Sequence, residues 1–306
     1  MRLTVSILVV MAAVGCATLE KKTEGPMRCW AVDPLVKVFR DAAPEAGAAA
    51  LAEVARGEHA SFQVVVRADA GITGLTAKAS PLKRARGGDA LAAASVRFVG
   101  YVPVDRPTQT PSKDQLRKPP ADYPDPLLED SAVDVAAGQA QPVWVTVAVP
   151  VDARPGLYRG TLTLEGQAGG VAAAADMPLT LRVYDVPVET TRLWVTEWYG
   201  LQWQHMAINP EPESDEYYAL LRRYAHNMAE HRHNVALISP LGLASYEANP
   251  DGSLKIDFAR FDRWVALFQE EGVIGRVEGG HIGGRAGGWE SDFVVQTRRV
   301  QDGTVV

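Results

Sequence analysis

The sequence has no excess of basic residues: 31 Lys and Arg face 37 Asp and Glu, which gives a formal net charge of −6. A nucleic-acid-binding protein would show a basic surface, so this balance argues against nucleic acid as a partner. The chain also lacks the Gly-x-Ser-x-Gly elbow of serine hydrolases and the Gly-Lys-Ser/Thr end of a phosphate-binding loop. Serine nucleophile chemistry and nucleotide binding therefore have little support.

Cysteine is also scarce, and the first of the two cysteines ends an N-terminal targeting segment. Arg2 precedes an apolar run over 3–14 that is too short to span a membrane and leads into Ala-Val-Gly-Cys16. Small residues before a cysteine resemble the lipobox of bacterial lipoproteins, in which that cysteine is lipidated; an ordinary cleaved signal peptide is the alternative. We predict a signal peptide over 1–16, a tether over 17–29, and a protein of the bacterial cell envelope that contacts the membrane only through its lipid anchor. If Cys16 is lipidated, no second cysteine is left to pair with Cys29, so no disulfide is expected.

Residues 30–188 have an all-β pattern. Five segments are predicted as strands; most alternate apolar and polar residues, and they are rich in Val, Thr, Phe and Tyr. They are 60–67, 96–101, 142–149, 160–164 and 179–184. Alternation gives each strand one buried and one wet face, which predicts an N-terminal antiparallel β-sandwich.

Three connections in this region are less regular. Pro and Gly over 149–158 predict a connection between the two sheets, and proline-rich 108–130 predicts a long ordered loop. Within that loop, residues 123–129 either anchor onto a neighbouring domain or form a surface excursion. Alanine-rich residues 42–52 and 90–94 fit a loop or a helix equally well.

Beyond residue 188 the period changes. Strand-like runs at 193–199, 235–239 and 273–277 alternate with helical patterns that start at Ser214 and Phe258. The first helix is expected to bury Tyr217, Leu220, Leu221, Tyr224 and Met228, and the second Phe258, Phe261, Val265 and Phe268, with Gly272 as its C-terminal cap. Strands alternating with helices predict a parallel sheet. Because residues 191–306 are far fewer than the roughly 250 of a whole (β/α)₈ TIM barrel, we expect an incomplete barrel.

In a barrel of this kind, the ligand site lies at the carboxyl ends of the strands. Aromatic rings beside a carboxylate, an imidazole and a guanidinium would suit a sugar, although barrel-core packing and an ion pair of the arginine are the simpler explanations. The candidates are Glu197, Trp198 and Tyr199 after the first strand, Ser239 after the second, and Glu278, His281 and Arg285 after the third.

Three histidines, His226, His231 and His233, lie near the end of the first helix. Their spacing lacks the i, i+4 pair that a helix uses to bind zinc, and histidines at a helix C-terminus favour the helix dipole. No metal site is predicted.

Several segments together resemble glycoside hydrolase family 123 and its uncharacterised relatives. They are Val143–Gly160, Tyr123-Pro-Asp-Pro-Leu-Leu, His231-Arg-His-Asn, Phe261-Asp-Arg-Trp-Val, and Glu278-Gly-Gly-His with Gly288-Trp-Glu. The resemblance implies a β-sandwich before a (β/α)₈ barrel, and hydrolysis of β-linked N-acetylgalactosaminides without a metal or organic cofactor. It further implies a retaining, substrate-assisted mechanism, in which the Asp of an adjacent Asp-Glu pair orients the acetamido group and the Glu acts as general acid, then base.

The adjacent acid pair marks a departure from the family. The sequence has one Asp-Glu, Asp215–Glu216, and it starts the first helix rather than ending a strand. We therefore assign no catalytic residue, expect the family pair beyond Val306, and expect a truncated member without hexosaminidase activity of its own. The alternative is a non-catalytic surface lipoprotein whose β-sandwich binds a glycan or a protein. The exact glycan, its linkage and the oligomeric state stay open.

Overall fold

The computed structural model describes residues 26–45, 49–188, 192–198, 210–280, 284–285, 287–294 and 298–299. The chain divides into two compact units, residues 1–189 and 190–306. Among the described residues, no helix is both long and apolar enough to cross a membrane. The predicted signal peptide with Cys16 lies outside the described residues.

The described part of the first unit is built from strands. They are β1 (Arg28–Val32), β2 (Ala50–Arg56), β3 (His59–Arg67), β4 (Ile72–Ala79), β5 (Lys83–Arg84), β6 (Ser95–Val104), β7 (Ala121–Leu127), β8 (Ala132–Val135), β9 (Ala140–Ala148), β10 (Gly156–Ala168) and β11 (Val171–Pro187). All five segments predicted as strands fall in this set, at β3, β6, β9, β10 and β11.

The strands form two sheets. The first has the order β1-β3-β9-β6-β7 and is antiparallel throughout. The second has the order β2-β11-β10-β4-β8, with β5 beside β10, and its β2–β11 pair is parallel. The expectation of purely antiparallel sheets is therefore wrong at this one pair. The predicted crossing connection is confirmed, because β9 and β10 lie in different sheets and residues 149–155 join them.

The two sheets pack on one shared hydrophobic core, in the arrangement of a β-sandwich. Val64 and Val145 from the first sheet and Leu164 and Leu181 from the second belong to one cluster, and each is fully buried. Their neighbours along each strand point the other way, because successive side chains alternate between faces. The alternation read from the sequence thus produces the layered core.

Strand β7 corrects the prediction of a loop over residues 108–130. It contains Pro124 and Pro126, which cannot donate a ladder hydrogen bond, but β7 is the last strand of its sheet and pairs only with β6. Proline is tolerated on such an edge. The ring of Tyr123 packs edge-on against Phe39, 5.3 Å between centroids.

The alanine-rich segments are loop at 42–45 and 91–94, and strand from Ala50.

The second unit contains short strands and three described helices. They are α1 (Asp215–Glu230), β12 (Val235–Leu237), α2 (Pro240–Leu243), β13 (Ser245–Ala248), β14 (Leu254–Asp257), α3 (Ala259–Glu270), β15 (Arg276–Glu278), β16 (Gly284–Arg285), β17 (Phe293–Val294) and β18 (Arg298–Arg299).

The centre of this unit is the parallel pair β12–β15, with α3 in the connection between them. Leu221 of α1, Phe268 of α3 and Ala236 of β12 share one buried cluster, so both helices cover the same face of the pair. One prediction needs correction, because residues 193–198 do not form a strand. Between α2 and α3 the chain also forms the antiparallel hairpin β13–β14.

Helix α1 begins as predicted. The Ser214 hydroxyl accepts a hydrogen bond from the Tyr217 N–H (3.1 Å), and Asp215 and Glu216 lie in the first turn, where the helix dipole favours acids. Its buried residues include Tyr218 and Ala225 in place of the predicted Leu220 and Tyr224, which are partly buried.

Helix α3 ends at a Schellman motif. The Val273 N–H donates to the Phe268 carbonyl (3.0 Å) and the Gly272 N–H to the Gln269 carbonyl (3.1 Å). Gly272 has φ +82°, which glycine adopts without strain, so the predicted cap is confirmed. The predicted apolar face is rotated, since α3 buries Trp264, Leu267 and Phe268 while Phe258 is 42% exposed.

Replacing Leu181 by Ala should destabilise the first unit by about 2–5 kcal/mol, because it opens a cavity in the shared core. Leu51→Ala is the matched control, because Leu51 lies on the adjacent strand β2 but is 55% exposed, whereas Leu181 is 0% exposed. Urea denaturation measures both free energies of unfolding. Equal losses in the two variants would contradict the assignment of the core.

Candidate functional site

Glu278 ends strand β15 and lies on the face of the parallel pair that the helices leave uncovered. The register pairs Val277 with Ala236 and Glu278 with Leu237. Ala236 belongs to the helix-covered cluster, and side chains alternate along a strand, so Glu278 points to the opposite face. The carboxyl end of a parallel strand is where α/β proteins place ligand-contacting groups.

Two side chains of the preceding segment hold the Glu278 carboxylate. The Trp198 indole N–H donates to Oε1 (2.8 Å), and the Thr196 hydroxyl donates to Oε2 (2.9 Å). Each carboxylate oxygen has a second lone pair and can accept another hydrogen bond. Trp198 is 64% exposed, so part of its ring surface faces solvent beside the carboxylate.

Asn234 fixes the segment that carries Thr196 and Trp198. Its Nδ2 donates to the Leu193 carbonyl (2.8 Å), and its Oδ1 accepts from the Val195 N–H (2.8 Å). The amide therefore satisfies two backbone groups of residues 193–195, as a neighbouring strand would. The Val195 carbonyl also accepts from the backbone N–H of Val235 at the start of β12 (3.2 Å).

Trp194 provides a second attachment of the same segment. A Cβ placed on Gly275 would lie 2.8 Å from the Trp194 ring, so only glycine allows the indole to pack this close. The Arg276 guanidinium lies 4.0 Å from the Trp194 ring centroid, within the range of a cation–π contact. These contacts and the Asn234 amide keep residues 193–198 beside the parallel pair.

The structure brings Trp198 and Glu278 together, and places the other predicted site residues elsewhere or outside the described range. Tyr199 and His281 lie outside the described residues. Arg285 lies in the β16–β17 hairpin, where it donates to the Ser291 carbonyl (2.7 Å) and packs 4.4 Å from the Phe293 ring centroid. Ser239 caps α2 by accepting from the Gly242 N–H (3.1 Å).

The histidines at the end of α1 contact protein groups. His226 Nδ1 lies 3.2 Å from a Glu271 oxygen, His231 Nδ1 lies 2.8 Å from the Asn227 carbonyl, and His233 Nε2 lies 3.6 Å from Glu197. Within the part of the chain that the structure describes, no group of three or more His, Cys, Asp or Glu side chains could hold a metal.

Two of the shifted pKa values in the second unit belong to groups at the helices α1 and α3. Hydrogen bonding by Arg222 lowers the pKa of Glu271, and Arg222 binds Glu270 as well. Burial, together with a hydrogen bond to Glu213, raises the pKa of Tyr218 to about 12. These groups join α1 and α3 and stabilise the helical layer behind the strands.

Comparison with known proteins shows what this chain is similar to. Residues 43–166 match the model of the glycoside hydrolase 123 N-terminal domain. A solved family 123 glycoside hydrolase from Clostridium perfringens, studied for glycolipid glycan hydrolysis, has the same fold: the TM-score is 0.71 at 12% identity, over 92% of this chain and 52% of that enzyme. The resemblance to family 123 is therefore confirmed, and this chain spans about half the length of the solved enzyme.

Other solved structures resemble this chain only weakly. The CooA pilin subunit of enterotoxigenic Escherichia coli matches with a TM-score of 0.27 at 10% identity, over 46% of this chain and 93% of the pilin. The BcpA pilin of Bacillus cereus (D312A variant) matches with 0.28 at 7% identity, over 51% of this chain and 40% of that one. These scores are too low to carry an argument. The comparison with curated proteins gave no match.

Asn234→Ala should release residues 193–195, because it removes the acceptor of the Val195 N–H and a donor to the Leu193 carbonyl. Losing a hydrogen bond of this kind costs about 1 kcal/mol, so amide exchange at Val195 should accelerate about fivefold. Asn249→Ala is the control, since within the described part of the chain its side chain bonds Ser253 in an exposed turn. Unchanged exchange at Val195 in the Asn234 variant would contradict this role.

Proposed function

We propose that this protein is a glycoside hydrolase-like lipoprotein that binds glycans containing β-linked N-acetylgalactosamine, with Glu278 and Trp198 forming one wall of the sugar site. The observation that carries the proposal is the Glu278 carboxylate, held by the Trp198 indole and the Thr196 hydroxyl at a strand end. The fold shared with a family 123 enzyme supports the same assignment.

The βαβ arrangement supports the interpretation of the second unit as part of a (β/α)₈ barrel. Strands β12 and β15 are parallel neighbours, α3 lies between them in sequence, and α1 and α3 cover one face. In a barrel, helices surround the strands and the opposite face points inward. Glu278 would then lie inside, at the end of the barrel where substrate enters.

The chemistry of this wall suits a sugar. A carboxylate accepts hydrogen bonds from hydroxyl and amide N–H groups, and charge-assisted bonds of this kind are the stronger ones. The exposed ring surface of Trp198 offers an apolar face for the C–H groups of a pyranose. Because Trp198 also binds the carboxylate, the two groups keep a fixed relative position before the sugar arrives.

The role proposed for Glu278 is binding, and bond cleavage is not assigned to it. The family mechanism uses an adjacent Asp-Glu pair, and the one such pair in this sequence is Asp215–Glu216. In the structure these residues occupy the first turn of α1, where their negative charges interact favourably with the positive end of the helix dipole. We leave both outside the sugar site.

Glu278→Gln should weaken binding of methyl β-N-acetylgalactosaminide by the full chain at least tenfold. The amide oxygen can still accept from Trp198, but the charge that strengthens the sugar's hydrogen bonds is lost. Trp198→Ala should weaken binding by a similar factor. Calorimetry measures both, with Glu270→Gln as the carboxylate control, because Glu270 binds Arg222 on the helical layer. Wild-type affinity in the Glu278 variant would refute the site.

The lipid anchor is a second part of the proposal. It is supported by the run of small residues that leads into Cys16 after an apolar segment. An acylated N-terminus would keep the protein at the envelope without a spanning helix.

Cys16→Ser should abolish incorporation of labelled palmitate and move the protein out of the membrane fraction. Cys29→Ser is the matched control, because the second cysteine lies on β1 and should leave both properties unchanged. Mass spectrometry of the N-terminal peptide and fractionation of expressing cells measure the outcome. Labelling that survives in the Cys16 variant would contradict the anchor.

A further inference from the structure

The first unit carries a groove of about 240 Å³ on the outer face of its first sheet. Gln63 on β3 and Trp144 on β9 are register partners and form its floor, while Val64 and Val143 beside them are buried in the shared core. One wall is the segment 34–38 that follows β1, and the other is the edge strand β7. All the lining residues belong to the first unit.

Gln63 presents a hydrogen-bond acceptor at this floor. Its side chain is 4% exposed, and its Nε2 donates to the carbonyls of Asp33 and Val36, both at 3.0 Å. Only the amide nitrogen of Gln63 can donate to those two carbonyls, and this fixes the orientation of the amide. Among the described residues, none donates to the Oε1 atom of Gln63. Its lone pairs can therefore accept a hydrogen bond from a ligand hydroxyl that enters the groove.

Trp144 provides an apolar surface next to that acceptor. It is partly buried at the floor, beside Val99, and the rims are Val36, 50% exposed, and Leu127, 45% exposed. An indole ring flanked in this way offers a flat surface for stacking.

A charged pair joins the two walls. Lys37 Nζ donates to the Pro124 carbonyl (3.0 Å) and to Asp125 Oδ1 (2.9 Å). The second oxygen of Asp125 and the remaining ammonium hydrogens can therefore bond a ligand at the rim. The groove thus combines one apolar floor ring, one amide acceptor and one rim ion pair.

We propose that this groove binds a single pyranose ring of a glycan, which stacks its C–H face on Trp144 and donates a hydroxyl to Gln63 Oε1. An aliphatic chain or an apolar peptide side chain would leave that acceptor unpaired. The volume is below the roughly 300–1,000 Å³ of pockets for drug-sized ligands, which limits the occupant to about one ring. This second site lies on the other unit from Glu278 and does not depend on the proposed function.

The test is a titration of the isotope-labelled full chain with N-acetylgalactosamine and with galactose, followed by NMR. Either sugar should shift the Trp144 indole N–H and the Gln63 side-chain amide resonances. Trp144→Ala should lower the apparent sugar affinity, measured from the Gln63 side-chain resonances, about tenfold. Trp198→Ala should leave the groove response unchanged, which separates this site from the one at Glu278.

Three outcomes would overturn the proposal. One is the absence of shifts at Trp144 and Gln63 in the wild-type chain with both sugars, which needs no variant to fold. Another is an unchanged Gln63 response in a folded Trp144→Ala variant. The third is a shift of the same resonances on concentrating the protein without sugar, which would identify a second copy of the chain as the occupant.

Discussion

The carboxamide of Asn234 is the interaction on which the candidate site depends. It donates to one backbone group of residues 193–195 and accepts from another, so a segment that forms no strand is still held beside the parallel pair. The backbone carbonyl of Asn234 also accepts from the Gly275 N–H (2.8 Å), immediately before β15. One residue therefore links the three pieces of chain that meet at the site. Thr196 and Trp198 reach Glu278 because this link sets their position.

The two units achieve rigidity by different means. The first relies on long strands whose alternate side chains meet in one core between two sheets, so its outer faces are free to vary. The second relies on two helices packed against a short parallel pair, with the ion pairs of Arg222 between them. In both cases the candidate ligand groups lie on the surface facing away from the core. The same division between scaffold and site is common among glycan-binding and catalytic proteins built on β-sheets and barrels.

Much of this could be predicted from residue patterns, and the failures have physical causes. Strands β3 and β9 are dense in valine, and both were predicted. Strand β4, Ile-Thr-Gly-Leu-Thr-Ala-Lys-Ala, lacks that contrast because it contains glycine and small residues, and β7 contains two prolines that only an edge strand tolerates. At the site, Glu278 and Trp198 could be proposed from their places after apolar runs. Asn234 and Thr196 could not, because their contacts span 39 and 82 residues of sequence and no local pattern records them.

The central claim is that the Trp198–Glu278 wall binds N-acetylgalactosamine, and a crystal structure of the full chain with that sugar tests it most directly. The account predicts a pyranose ring stacked on the Trp198 indole, with a hydroxyl or the acetamido N–H within hydrogen-bonding distance of a Glu278 oxygen. The Trp198–Glu278 bond should persist in that complex. A sugar bound elsewhere in the second unit, with this wall unoccupied, would contradict the account.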